Sequence, residues 1–233
     1  METSAWTRSQ TRRNFVRQIP VAGAVALGVT QVSCGTDEED EMVSTNEDLM
    51  REHGVLKRVL LAYEEITTRI RGNRDFSPQS VTDGATIIRK FIEDYHEKLE
   101  ENYLFPRLRK AGTLVELVDV LLSQHQIGRC ITDRILATTA SLKTSEDRNR
   151  LASDLEAFNR MYAPHEARED TVLFPSLHKI MSSHEYGSLG EQFERIERQT
   201  FGGDGFDIYV DKVNALEKQL GIDNLSQFTP KCA

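Results

Sequence analysis

Between Ser44 and Val172, apolar residues recur at alternating intervals of four and three in four successive stretches, the spacing of one face of a packed helix. The first opens at Ser44-Thr45-Asn46-Glu47, a capping-box pattern of Ser44 with Glu47. Its stripe is Leu49, His53, Leu56, Leu60, Tyr63 and Ile70, and Gly72-Asn73 closes it. The second starts at Ser77-Pro78, with proline in the first turn, runs through Val81, Ala85, Ile88, Ile92, His96, Leu99 and Tyr103, and ends at Ala111-Gly112. The third is predicted to start at Thr113 with Glu116 as its box partner; its stripe is Leu114, Val118, Leu121, His125, Gly128 and Ile135. After a short polar loop, Leu142 to Ser145, the fourth carries Leu151, Leu155, Phe158, Tyr162, His165, Glu169 and Val172. Four long helices with short connections predict an all-α fold, an antiparallel up-down four-helix bundle. Pro106 and Pro175, each ten residues after a stripe histidine, are expected to kink or end their helices. Two shorter helices are predicted beyond, at Gly187 to Gln199 and Ile208 to Leu220, joined by Gly202-Gly203-Asp204-Gly205. Nothing in them carries chemistry; they either pack on the bundle or serve a partner.

The stripes are not purely apolar. His53, His96, His125 and His165 each sit on the inward stripe of a different helix, and Glu100 and Glu169 follow two of them by one turn on the same face. The segment His96-Glu97-Lys98-Leu99-Glu100 with Leu104-Phe105-Pro106 returns at one fixed offset as His165-Glu166-Ala167-Arg168-Glu169 with Leu173-Phe174-Pro175. Leu49-x-x-x-His53 precedes the first copy and Leu121-x-x-x-His125 the second, the order expected of two helical hairpins related by a pseudo-twofold. A buried carboxylate is costly unless a cation offsets it. Four imidazoles and two carboxylates exceed the needs of one tetrahedral zinc and suit two borderline ions with the carboxylates bridging. Iron fits this donor mix and dioxygen chemistry, with manganese and zinc as alternatives. His178 and His184 lie beyond the stripe and read as solvated.

These residues resemble the hemerythrin-like proteins of the HHE cation-binding type. The resemblance covers about Asn46 to Met181 and rests on Arg51-Glu52-His53, His96-x3-Glu100, His125-x2-Gly128-Arg129 and His165-x3-Glu169, together with the two Leu-Phe-Pro triplets. It implies a four-helix bundle around a non-haem di-iron centre, with His53, His96, His125 and His165 as terminal ligands and Glu100 and Glu169 as bridges. It also implies a small oxidant such as dioxygen as partner. The chain departs from the oxygen carriers of that family at Arg129, where they place a further histidine. It departs again at Glu169, where they use an aspartate one position later, a place held here by Asp170 as a fallback ligand. Arg129 is expected to turn outward or pair with an acid, leaving an open coordination position and casting doubt on reversible oxygen carriage. An enzyme acting on peroxide, nitric oxide or ferrous iron, or a non-catalytic metal-stabilised module, is the alternative. The ferritin-like Glu-x-x-His pattern fits Glu93 and His96 but fails in the second copy, where Tyr162 stands in place of the acid. Glu93 therefore reads as surface or as support for a ligand, and Tyr95, Tyr103 and Tyr162 as packing.

A formal charge of −8 argues against a nucleic-acid partner. Cys34, Cys130 and Cys232 have no CxxC spacing and form no zinc set. Arg8, Arg12, Arg13 and Arg17 stand against Glu2 alone near the N-terminus, and Arg12-Arg13 followed by Phe15 and the apolar run Val21 to Val29 resembles a twin-arginine export signal. That resemblance implies export of the folded protein by the twin-arginine translocase to a periplasmic or other extracytoplasmic location. Cys34, before the acidic run Asp37 to Glu41, offers either a lipid anchor to the membrane or a residue near simple cleavage. The expected organisation is a signal at 1–34, an acidic linker at 35–45, the bundle at 46–182 and a helical extension at 183–233.

Overall fold

The computed structural model of the chain describes residues 43–231, so the expected export signal, Cys34, the acidic run and Cys232 lie outside the described residues. Among the described residues every regular element is helical. Helix α1 is Thr45–Arg71. Helix α2 is a continuous helical run over residues 78–110, α3 is Val115–Ala140, and α4 is a second continuous run over residues 145–180. Ser183–Phe201 forms α5, Gly205–Leu220 forms α6, and a single 3₁₀ turn follows at Leu225–Phe228. No helix among them is long and apolar enough to cross a membrane.

The four long helices stand where the stripes put them, and their neighbours close a ring: α1 packs on α4, α4 on α3, α3 on α2 and α2 on α1. Each stripe residue from Leu49 to Ile70 on α1, and Val118, Leu121 and Ile135 on α3, is buried in one core with Leu151, Leu155 and Phe158 of α4.

The ends follow local chemistry. Ser44 accepts the Glu47 N–H at the start of α1, and Thr144 and Asp147 cap the start of α4 reciprocally. Gly112 takes the left-handed conformation that ends α2, with the Thr113 N–H donating to the Leu108 carbonyl at 3.0 Å. Helix α3 then begins one residue later than expected. Its N-cap is Leu114, not Thr113, and Leu114 is itself left-handed with φ 53°.

The two prolines do not end their helices. The chain stays helical through Pro106 to Lys110 and through Pro175 to Ile180. In each case a π-helical segment, Glu100–Leu104 or Glu169–Leu173, comes immediately before. The proline thus falls in the first turn after the register change, where a missing N–H costs least. A longer π segment, Ile88–His96, leads into the first histidine of the repeat.

Helices α5 and α6 begin several residues earlier than their stripes suggested, at Ser183 and Gly205. They pack on the bundle. Tyr209 stacks on Phe91 with ring centroids 4.5 Å apart, and Phe201 meets Tyr95 edge-on at 5.1 Å. Arg58 of α1 binds Glu217 of α6. Gly84 lets α2 approach: a Cβ there would stand 3.0 Å from the Tyr63 ring and 3.5 Å from Leu216. This pair backs the part of α2 that leads to His96.

Candidate metal centre

All six residues singled out from the repeat converge in the interior of the ring, none more than 4 % exposed. They fall into two triads, His53 with His96 and Glu100, and His125 with His165 and Glu169; in each triad the donor atoms lie within 4.8 Å of one another. The carboxylates also reach across. Glu100 Oε2 lies 3.8 Å from His96 Nε2 and 3.4 Å from His125 Nε2. Glu169 Oε2 lies 3.1 Å from His165 Nε2 and 3.4 Å from His53 Nε2. Each carboxylate therefore stands between one histidine of either triad, the position a bridge requires.

The donor set fits metal on two counts. Two nitrogens each about 2.1 Å from one ion lie about 3–3.4 Å apart, and His125 Nε2 and His165 Nε2 are separated by 3.2 Å. The second count is polar satisfaction. Both oxygens of Glu100, both of Glu169 and Nε2 of His96 are buried with no hydrogen-bond partner, an arrangement that folding does not tolerate without compensation. A bound metal would supply it.

The electrostatics of the metal-free site point the same way. Burial, and then the proximity of Glu169, push the Glu100 carboxyl far up. Burial also works against ionised Glu169, yet the imidazoles of His165 and His53 hold it well below the usual carboxylate range. Burial would lower His53, but the Asp170 and Glu169 carboxylates raise it to about 9. His96 is pushed well down by burial and by His53.

Behind the imidazoles stands a second set of residues that the sequence reading did not identify. His53 Nδ1 is hydrogen-bonded to Asp170 at 2.7 Å, His96 Nδ1 to Glu52 at 2.7 Å, His125 Nδ1 to Glu101 at 3.1 Å and His165 Nδ1 to Gln124 at 2.8 Å. These oxygens accept, so each Nδ1 carries a proton and Nε2 is the ring nitrogen turned to the centre, where its lone pair would serve a metal. The pattern is cyclic: α4 orients the histidine of α1, α1 that of α2, α2 that of α3, and α3 that of α4. The signal lay in the sequence, since each acceptor is the immediate neighbour of a site residue: Glu52 of His53, Glu101 of Glu100, Gln124 of His125, Asp170 of Glu169. Asp170, expected as a fallback ligand, is engaged here with His53 Nδ1. The Leu-Phe-Pro repeat has a matching purpose, because Phe105 stacks on His125 and Phe174 on His53, both with centroids 5.5 Å apart.

Arg129 pairs with acids, as one of its two expected placements required. Its Nη2 donates to Glu97 at 2.6 Å and to Glu101 at 2.7 Å. It has a counterpart: Lys57, one turn after His53, lies 3.6 Å from Glu166 and 3.9 Å from Asp170. Neither α1 nor α3 offers a second imidazole. Burial drives the Glu97 carboxyl up to about 8 against the pull of Arg129, and the Tyr162 hydroxyl donates to it at 2.7 Å. Glu93 is not a surface residue. It is fully buried, accepts from the Thr132 hydroxyl at 2.6 Å and pairs with Arg89 at 3.0 Å. His178 and His184 are exposed and take no part.

Comparison with known proteins agrees with this geometry. The model of the hemerythrin HHE cation binding domain matches residues 44–217. Uncharacterised proteins of Mycobacterium tuberculosis and Mycobacterium bovis are each 50% identical to the chain over 197 residues, covering 84% of this chain and 77% of theirs. No solved structure matches the chain.

Proposed function

Since the chain belongs to the hemerythrin HHE cation-binding family, we propose that it is an exported non-haem di-iron protein that binds dioxygen or a related small oxidant. In this reading the long helices run alternately up and down. His53 and His96 would hold one ion and His125 and His165 the other, with Glu100 and Glu169 shared between them. The observation that carries it is the pairing of four Nε2 lone pairs with two buried carboxylates that have no hydrogen-bond donor. Two such irons, when bound, supply the electrons that a small oxidant takes up. The chain's own part is to aim the imidazoles, exclude bulk water with Phe105 and Phe174, and offset charge at the rim with Arg129 and Lys57. Export rests on the Arg12-Arg13 signal read from the sequence, and membrane attachment on Cys34.

A second reading, turnover of peroxide, nitric oxide or ferrous iron, is favoured by one feature. The positions one turn after His53 and His125 hold Lys57 and Arg129, both engaged with acids, so a bound ion would find two imidazoles on either side and would keep room for a reactant.

Loading the metal-free protein with ferrous iron under anaerobic conditions, counting metal and then admitting oxygen tests both. Two irons per chain are expected, falling sharply in a His96→Ala/His165→Ala variant. A visible band that appears and reverses with oxygen supports binding, and bleaching with peroxide consumption supports turnover. Fewer than two irons, or a count that the double variant leaves unchanged, overturns the assignment of the centre.

A further inference from the structure

The pseudo-twofold that relates the two triads holds for the six converging residues and breaks immediately behind them. Behind His53 and His96 stand two carboxylates, Asp170 and Glu52, each at 2.7 Å. Behind His165 stands a neutral amide, Gln124. Behind His125 stands a carboxylate, but Glu101 sits farther off at 3.1 Å and is shared with two cations, Arg129 at 2.7 Å and Lys98 at 2.5 Å. The corresponding cation on the other side, Lys57, comes only to 3.9 Å of Asp170.

An ionised acceptor on Nδ1–H pushes electron density onto Nε2 and strengthens it as a donor; a neutral amide, or a carboxylate whose charge is already taken up, does so less. The two glutamates cannot cancel this difference, because each touches one imidazole of either triad. Building on the di-metal reading above, we propose that the two positions are unequal, with the His53–His96 position filling first and the His125–His165 position holding its ion about 10–100-fold more weakly, the span that changes behind metal-bound histidines produce. Glu52 and Gln124, the equivalent residues one place before His53 and His125, are the positioning residues that set the order. The weaker position, beside Arg129, is then the one that is vacated or exchanged first.

The test uses cobalt(II), whose visible bands report coordination, titrated anaerobically into the metal-free full chain in competition with a chromogenic chelator. In the unaltered protein two ions are expected to enter in two resolved steps. Gln124→Glu should tighten the second step about 10-fold and leave the first in place. Glu52→Gln should weaken the first step by a similar factor, drawing the two together. Both replacements are nearly isosteric, and the unaltered protein alone already decides whether the steps separate. Two ions entering with one affinity, or a Gln124→Glu variant that moves the first step or neither, overturns the ranking while leaving the two-metal reading intact. A total of one ion per chain overturns both.

Discussion

Gly128 shows how tightly single residues are constrained around this centre. A Cβ at that position would come 2.0 Å from the Tyr162 hydroxyl and 2.8 Å from its ring carbon. Only glycine there lets Tyr162 lie against α3, stack on Phe158 at 4.3 Å and reach Glu97. Gly128→Ala is therefore expected to cost about 1–3 kcal/mol through overpacking. Adding Tyr162→Phe, which removes the closest atom, should recover part of that loss in a double-mutant cycle read by thermal denaturation. Simple additivity of the two changes would show that the contact does not matter. The residues that converge were readable beforehand because a histidine and a glutamate one turn apart on an apolar stripe have few other reasons to be there. Their acceptors were not. Glu52, Glu101, Gln124 and Asp170 lie one position off the stripe, where helices ordinarily carry polar side chains into water, so their adjacency to the site residues was the one sign, and it took on meaning only once the neighbouring helix was in place. Tyr162 was readable as packing, and the packing reading was incomplete: it is buried and also donates to Glu97.

At the scale of elements, stripes and caps located the four long helices, because burying one face outweighs local preferences over more than twenty residues. What the stripes could not report was register inside a helix. The π segments Glu100–Leu104 and Glu169–Leu173 replace the i→i+4 bonds of an α-helix by i→i+5 bonds. Tertiary fit around the buried carboxylates decides between them, and no residue type marks the change. Of the two outcomes expected at the prolines, a kink or an end, the end did not occur for that reason. The helix starts separate stability from function. Thr144 and Asp147 cap α4 through reciprocal bonds, with the Asp147 N–H on Thr144 Oγ1 at 3.1 Å and the Thr144 N–H on Asp147 Oδ2 at 3.1 Å. They lie at the far end of α4 from Glu169. Thr144→Ala should cost about 1 kcal/mol, a melting shift of about 2–4 °C for a chain of this size, while metal stoichiometry stays at two. A fall in metal content alongside the melting shift would mean that the start of α4 is coupled to the centre.

For the whole molecule, the centre is a place where the fold holds together against its own electrostatics. The ring of helices buries two carboxylates and four imidazoles that, without metal, leave Glu100 forced toward its neutral form while the imidazoles of His165 and His53 hold Glu169 ionised against its burial. The outer helices reinforce this arrangement, since α6 presses Tyr209 and Leu216 onto α2 and the Phe91 end of its π segment. A fold selected only for stability would not keep such a core, and residues kept for binding commonly cost stability. A metal that binds the folded chain and not the unfolded one adds stability that grows with the logarithm of its free concentration relative to its dissociation constant. The prediction is a crossing of two curves. In the presence of chelator, Glu100→Gln/Glu169→Gln should melt higher than the unaltered chain, by about 0.5–2 kcal/mol of added stability. In the presence of excess divalent metal the order should reverse, because the unaltered chain gains and the variant does not. Differential scanning calorimetry on both proteins, with and without metal, reads all four values. If the variant melts lower under both conditions, the two glutamates are structural groups satisfied within the fold, and the centre was not built around a cation.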